Sequence, residues 1–141
     1  MADRARVTRR RLADENHAVL TAEGGPGGYR RQPCPQCPWR RDAPIGAFPA
    51  EAYRLSAETA YDLSTHQFAC HMSGSEKPAT CAGYLLRGSA HNMATRLALS
   101  RGAINPGEVS SDVDLYDSYR EMAEANGVDP DDPTLAPCRD R

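Results

Sequence analysis

The apolar positions of this chain fall in short runs separated by strong breakers. Phe48-Pro49-Ala50-Glu51 reads as a helix start with Pro49 in the first turn. Tyr53, Ala57, Ala60 and Tyr61 then share one helical face. Thr80 is placed to cap a short helix that runs through Leu86 and stops at Gly88. A second helix is expected from Ser89 to Arg101, with Ala90, Met93, Ala94 and Leu97 inward and Gly102 as its stop. Ser111 is expected to cap a last helix in which Leu115, Tyr119 and Met122 share a face and which ends at Gly127.

The remaining segments read differently. Residues 1–22 are expected as a short helix, although Val7, Leu12, Val19 and Leu20 match a helical face poorly. Glu23-Gly24-Gly25-Pro26-Gly27-Gly28 is a breaker and linker. Pro33, Pro35, Pro38 and Pro44 keep residues 33–47 in loops, because each removes a backbone donor. Residues 66–72 read as a short strand and 73–79 as a loop. The fold class expected is mostly α with a short irregular or β portion, a small metal-nucleated domain with flexible termini. Its parts are a basic flexible arm at 1–28, a Cys-rich metal-binding domain at 29–127 and an acidic flexible tail at 128–141.

Composition supplies the reason for the metal. Leu, Ile, Val and Phe make up only 19 of 141 residues, below the roughly one-fifth at which a chain readily buries a core. Lean domains take extra stability from disulfides, metals or partners. No apolar run approaches the ~20 residues of a membrane span. The basic N-terminus is not followed by an apolar stretch of the signal-peptide kind. A reducing cytoplasm is therefore the expected compartment, and there cysteines bind metal or do chemistry more often than they form disulfides.

Charge is uneven along the chain: +5 over residues 1–41, zero over 42–106 and −7 over 107–141. The Arg-rich arm could contact phosphate, with steep salt dependence. Aromatic residues do not interleave with those arginines, and the pI is about 6.1. Another protein is the expected partner, with nucleic acid as the alternative and no membrane.

The chemistry concentrates in the cysteines. Pro33-Cys34-Pro35-Gln36-Cys37-Pro38-Trp39 holds a C-x-x-C pair in a proline-stiffened turn. Such a turn brings two sulfurs together and aims backbone N–H groups at them, which favours the thiolate that binds metal. Cys70 follows in Phe68-Ala69-Cys70-His71, and Cys81 stands at an expected helix N-terminus. Four thiolates from Cys34, Cys37, Cys70 and Cys81 could close a tetrahedral zinc site. The same four could hold an iron–sulfur cluster, although neither ferredoxin spacing is present. Cys70 and Cys81 could also be ordinary buried thiols. His71 is expected to support a sulfur from outside the ligand set, with a direct ligand role left open. His91 is a substitute ligand, Trp39 should pack over the site, and Cys138 is expected as an uninvolved tail thiol.

Enzymatic readings find less. Pro-Cys-x-x-Cys matches half of the zinc-deaminase signature, but Val19 stands where the essential Glu after His17 would be. No βαβ pattern surrounds the C-x-x-C as in thioredoxin-like sites. No third group orients a Cys–His nucleophile, and no P-loop or dinucleotide fingerprint occurs.

The motifs at 33–44 (Pro-Cys-Pro-Gln-Cys-Pro-Trp-Arg-Arg-Asp-Ala-Pro), 48–51 (Phe-Pro-Ala-Glu), 68–71 (Phe-Ala-Cys-His) and 81–85 (Cys-Ala-Gly-Tyr-Leu) carry a resemblance. In them the chain resembles small uncharacterised cysteine-rich proteins of actinobacteria and their phages, a domain of unknown function. The resemblance spans about residues 33–101 and implies a shared cysteine site and a bacterial or phage source. It implies no activity. The resulting expectation is a non-enzymatic interaction or regulatory module with a structural zinc held by four cysteines. The alternative is an iron–sulfur protein with a redox-sensing or electron-transfer role.

Overall fold

The computed structural model describes residues 6–15, 17–23, 28–70 and 78–138. It opens on an antiparallel hairpin of β1 (Arg6–Leu12) and β2 (Ala18–Glu23), with Arg10 opposite Leu20 and Leu12 opposite Ala18. The Ala13 and Asp14 N–H groups both donate to the His17 carbonyl, at 2.9 and 3.3 Å, and this closes the turn. Gln67 extends the free edge of β2 by one antiparallel bridge to Ala22, its N–H donating to the Ala22 carbonyl at 2.9 Å. Beyond it Ala69 pairs antiparallel with Thr80, and Thr80 pairs parallel with Tyr29. The central segments are thus stitched side by side through single bridges rather than long ladders.

Four short α-helices occur among the described residues. α1 (Ala50–Ser56) follows Pro49 and continues as a 3-10 turn, Ala57–Ala60. α2 (Ala82–Arg87) starts directly after Cys81 and ends at Gly88. α3 (Met93–Ser100) is capped by Asn92, whose Oδ1 accepts the Thr95 N–H at 2.9 Å. α4 (Tyr119–Ala125) is capped by Ser118, which accepts the Glu121 N–H at 3.1 Å. Gly127, at φ +98°, turns the chain out of α4 in a conformation that side chains disfavour.

The core is aromatic. Trp39 is 0% exposed and meets Phe68 and Tyr119 edge-on, with ring centroids 5.9 and 5.8 Å apart. Phe68 stacks on Tyr84 at 5.9 Å. Leu115, Met122, Ala123, Val128 and Leu135 fill the space beneath these rings. The hydroxyls of the two most deeply buried tyrosines each find a carbonyl: Tyr84 donates to Thr59 at 2.7 Å and Tyr119 to Tyr53 at 2.5 Å. Aromatic burial of this kind stabilises as strongly as aliphatic burial.

The expected fold class is corrected in three respects. The chain is not mostly helical: its α-helices span only six to eight residues each, joined by extended and irregular segments. Nor do its described ends hang free. β1 and β2 form a hairpin instead of a helix or flexible arm, and Arg9 and Arg11 fasten it to Glu58 at 3.0 and 2.9 Å. At the other end Val128, Leu135 and Cys138 are buried, and Arg120 donates to the carbonyls of Leu135 and Cys138. The fold is not nucleated by a metal either. Among the described residues no group of three or more His, Cys, Asp or Glu side chains stands as a ready metal-holding set. The tyrosines, Trp39 and Met122, which the aliphatic count leaves out, supply the core instead.

α3 buries Thr95 and Ala98, whereas Leu97, expected inward, is 49% exposed. No described helix is long and apolar enough to cross a membrane.

Candidate metal centre

Three segments carry the thiols. In the first, the Cys37 N–H donates to the Cys34 carbonyl at 3.1 Å and the Arg40 N–H to the Cys37 carbonyl at 3.2 Å, so the prolines and two successive turns fold residues 34–40 into a tight knuckle. The second and third segments are antiparallel neighbours. Cys70 N–H donates to Ala79 at 2.6 Å and Cys81 N–H to Phe68 at 2.9 Å. With Ala69 opposite Thr80, the side chains of Phe68, Cys70 and Cys81 share the other face of this pairing. Cys70 and Cys81 are then diagonal neighbours.

The knuckle delivers its own sulfurs to that face. The Sγ atoms of Cys37 and Cys81 are 3.6 Å apart and buried. Cys34, half-buried, lies near enough to Cys70 for the two thiols to perturb each other. The four thiols named by the sequence therefore stand as two pairs, Cys37–Cys81 and Cys34–Cys70.

The electrostatics of these pairs are mutual. Cys37 is held below its ordinary pKa, first by the hydrogen bond from Cys81. Burial opposes this, while the N–H groups of Trp39 and Gly83 and the nearby Arg40 add to it. Cys81 is raised, first by that same bond with Cys37, then by burial, with Cys70 contributing repulsion. Burial and then the neighbouring Cys70 push Cys34 up to about 11, against the Gln36 N–H. Each pair is thus electrically aware of the other, and backbone donors from the knuckle and from the first turn of α2 point at sulfur. Those donors stabilise anionic sulfur whether or not a cation is bound.

Trp39 lies beside the pairs. A methyl group on Gly83 would stand 2.6 Å from Trp39 Cβ and 3.1 Å from Cys37 Sγ. The other predicted positions are placed as follows. His71 lies outside the described residues. His91 sits near Asp62, 3.9 Å from its carboxylate, and Cys138 donates to the Ala57 carbonyl at 3.7 Å. The Cys138 thiol is buried against the 3-10 turn rather than loose in a tail.

The sequence reading missed Glu58. It accepts Arg9, Arg11 and His66, the last at 3.0 Å, and joins the hairpin to the segment leading into Cys70. Arg31, Arg40 and Arg41 also pair with acids, namely Glu108, Asp42 and Glu121. Much of the N-terminal basic charge is therefore spent inside the molecule.

No curated protein and no solved structure matches this chain. The knuckle, both partner strands and every described helix fall instead within one stretch, residues 29–139, that matches a family description, and the chain belongs to that family of unknown function (DUF6283).

Proposed function

We propose that the protein is a small non-enzymatic metal-binding module of the cytoplasm in which Cys34, Cys37, Cys70 and Cys81 together take one zinc ion. The observation that carries this reading is the convergence of four thiols from three separate segments, with Cys37 and Cys81 in hydrogen-bond contact and Cys34 beside Cys70. The 3.6 Å between Cys37 and Cys81 sulfurs is close to the ~3.8 Å edge of a tetrahedron with Zn–S bonds of about 2.3 Å. The aromatic core is complete without the ion, so zinc would tie the knuckle to the 68–81 pairing and not assemble the fold. Burial of Cys37, Cys70 and Cys81 suits a closed structural site, which leaves no position for substrate.

The partner is a protein. The ion pairs of Arg9, Arg11, Arg31, Arg40 and Arg41 leave the N-terminal basic charge little reach toward a phosphate backbone. Binding to random duplex at low salt would reverse that choice.

The test is elemental analysis after anaerobic purification. A colourless protein with about one zinc per chain is expected, and Cys37→Ser or Cys81→Ser should lose the metal. A brown protein with iron and inorganic sulfide in equal amounts would replace zinc by a cluster. Apo-protein that takes up no added zinc would end the reading.

A further inference from the structure

Both sulfur pairs cross the same boundary. Cys34 and Cys37 belong to the knuckle, while their neighbours Cys70 and Cys81 belong to the antiparallel pairing that follows. Four cysteines can join in three ways. Sequence proximity alone would join Cys34 to Cys37, as in C-x-x-C oxidoreductases. The fold sets a different pairing. The Sγ atoms of Cys37 and Cys81 stand 3.6 Å apart, so an approach of about 1.5 Å reaches the ~2.05 Å of a disulfide bond. Cys34 is the one thiol of the five that is not buried, so it is the sulfur that an oxidant in solution meets first. Cys70 stands beside it.

We propose that the centre is a site of oxidation by a hydroperoxide, which joins Cys34 to Cys70 and Cys37 to Cys81 and expels the zinc. The expulsion rests on the zinc reading above; the pairing does not. The Cys34 thiolate attacks one peroxide oxygen. An S–O bond forms, the O–O bond breaks, and the departing oxygen takes a proton from solvent and leaves as water or an alcohol. The Cys70 thiolate then attacks the Cys34 sulfenic acid. The S–S bond forms, the S–O bond breaks, and hydroxide leaves and is protonated to water. The two sulfurs lose the two electrons that the peroxide gains. Two thiolates hold the ion poorly, and a second peroxide oxidises Cys37 and Cys81 in the same way. Each disulfide runs from the knuckle to the pairing, so covalent bonds keep the link that zinc had made. Oxidation frees the ion without freeing the knuckle.

The experiment adds hydrogen peroxide to the zinc-loaded full chain with a coloured zinc chelator present. Zinc should appear on the chelator as thiols are lost. Iodoacetamide under denaturing conditions should then label one cysteine of the five, Cys138. Mass-spectrometric mapping should find Cys34 joined to Cys70 and Cys37 to Cys81, and a dithiol reductant followed by zinc should restore the metal content. Cys34 joined to Cys37, a sulfonic acid at Cys34 in place of a disulfide, or zinc retained at millimolar peroxide overturns the proposal. A chain that never takes up zinc defeats the metal reading alone, and the same mapping on that chain still upholds or overturns the pairing.

Discussion

Gly83 faces Trp39 so closely that the first carbon of any side chain placed there would stand 2.6 Å from the tryptophan Cβ. Gly88, one turn on, meets the far edge of the same indole, at Cη2 and Cζ2. The glycine inside α2 and the one at its end thus form a groove in which Trp39 lies.

Gly83→Ala is expected to destabilise the protein by about 1–3 kcal/mol through overpacking. In an exposed helix interior the same change would stabilise by about 1 kcal/mol, so the sign discriminates. Neither Trp39 Cβ nor the buried Cys37 sulfur is the movable end of a flexible chain. Urea denaturation of the two proteins measures the difference, and an unchanged or raised midpoint would contradict the groove.

Asn92 caps α3 with one amide atom and braces the thiol-bearing segment with the other. Its Oδ1 accepts from Thr95, while its Nδ2 donates to the His66 carbonyl at 2.8 Å. Asp caps helices as well as Asn does, yet here it would press a buried carboxylate against a carbonyl oxygen. Asn92→Asp should therefore cost about 2–3 kcal/mol at pH 7 and recover in part as the carboxyl is protonated. Unfolding midpoints at pH 7 and at mildly acid pH check this, and a variant as stable as the wild type at pH 7 would refute the bracing role.

Asp132 ties the C-terminal segment to α1. Its carboxylate accepts the Thr134 hydroxyl and N–H at 2.7 and 2.9 Å and Arg54 Nε at 2.8 Å. These bonds hold its pKa below the ordinary 3.8, the Thr134 hydroxyl foremost. A carboxyl lowered in the folded state contributes stability above its unfolded value, and that contribution fades as pH falls through the folded one. Asp132→Asn should thus reduce stability at pH 7 and flatten the acid limb below about pH 4. Denaturant midpoints from pH 7 to pH 2 read both effects, and superimposable acid limbs would dismiss the role given to Asp132.

The parts legible in the sequence are those set by local chemistry. The knuckle follows from two prolines around C-x-x-C, α1 begins after Pro49, α2 ends at Gly88, and Gly127 closes α4. What escaped was set at long range. β1 is Arg-rich with little apolar alternation, and its partners Leu55 and Glu58 are more than forty residues away. The one local signal was the polar run Asp14-Glu15-Asn16 in the sequence, between two strand-tolerant runs. The helix expected from Ser111 starts only at Tyr119, because the segment before it is committed elsewhere, Leu115 pairing with Arg40. The pairing of Cys37 with Cys81 was foreseeable as a set of thiols. Its geometry depends on the bridge of Ala69 to Thr80, which single bridges across loops do not announce.

Trp39 is the sole indole in the chain, and it is sealed between the knuckle sulfurs and the aromatic rings of the core. Its fluorescence is consequently a built-in reporter with a single source. Quenching or a spectral shift on adding a cation, a thiol reagent or a denaturant tracks one address in the molecule, with no need for a label.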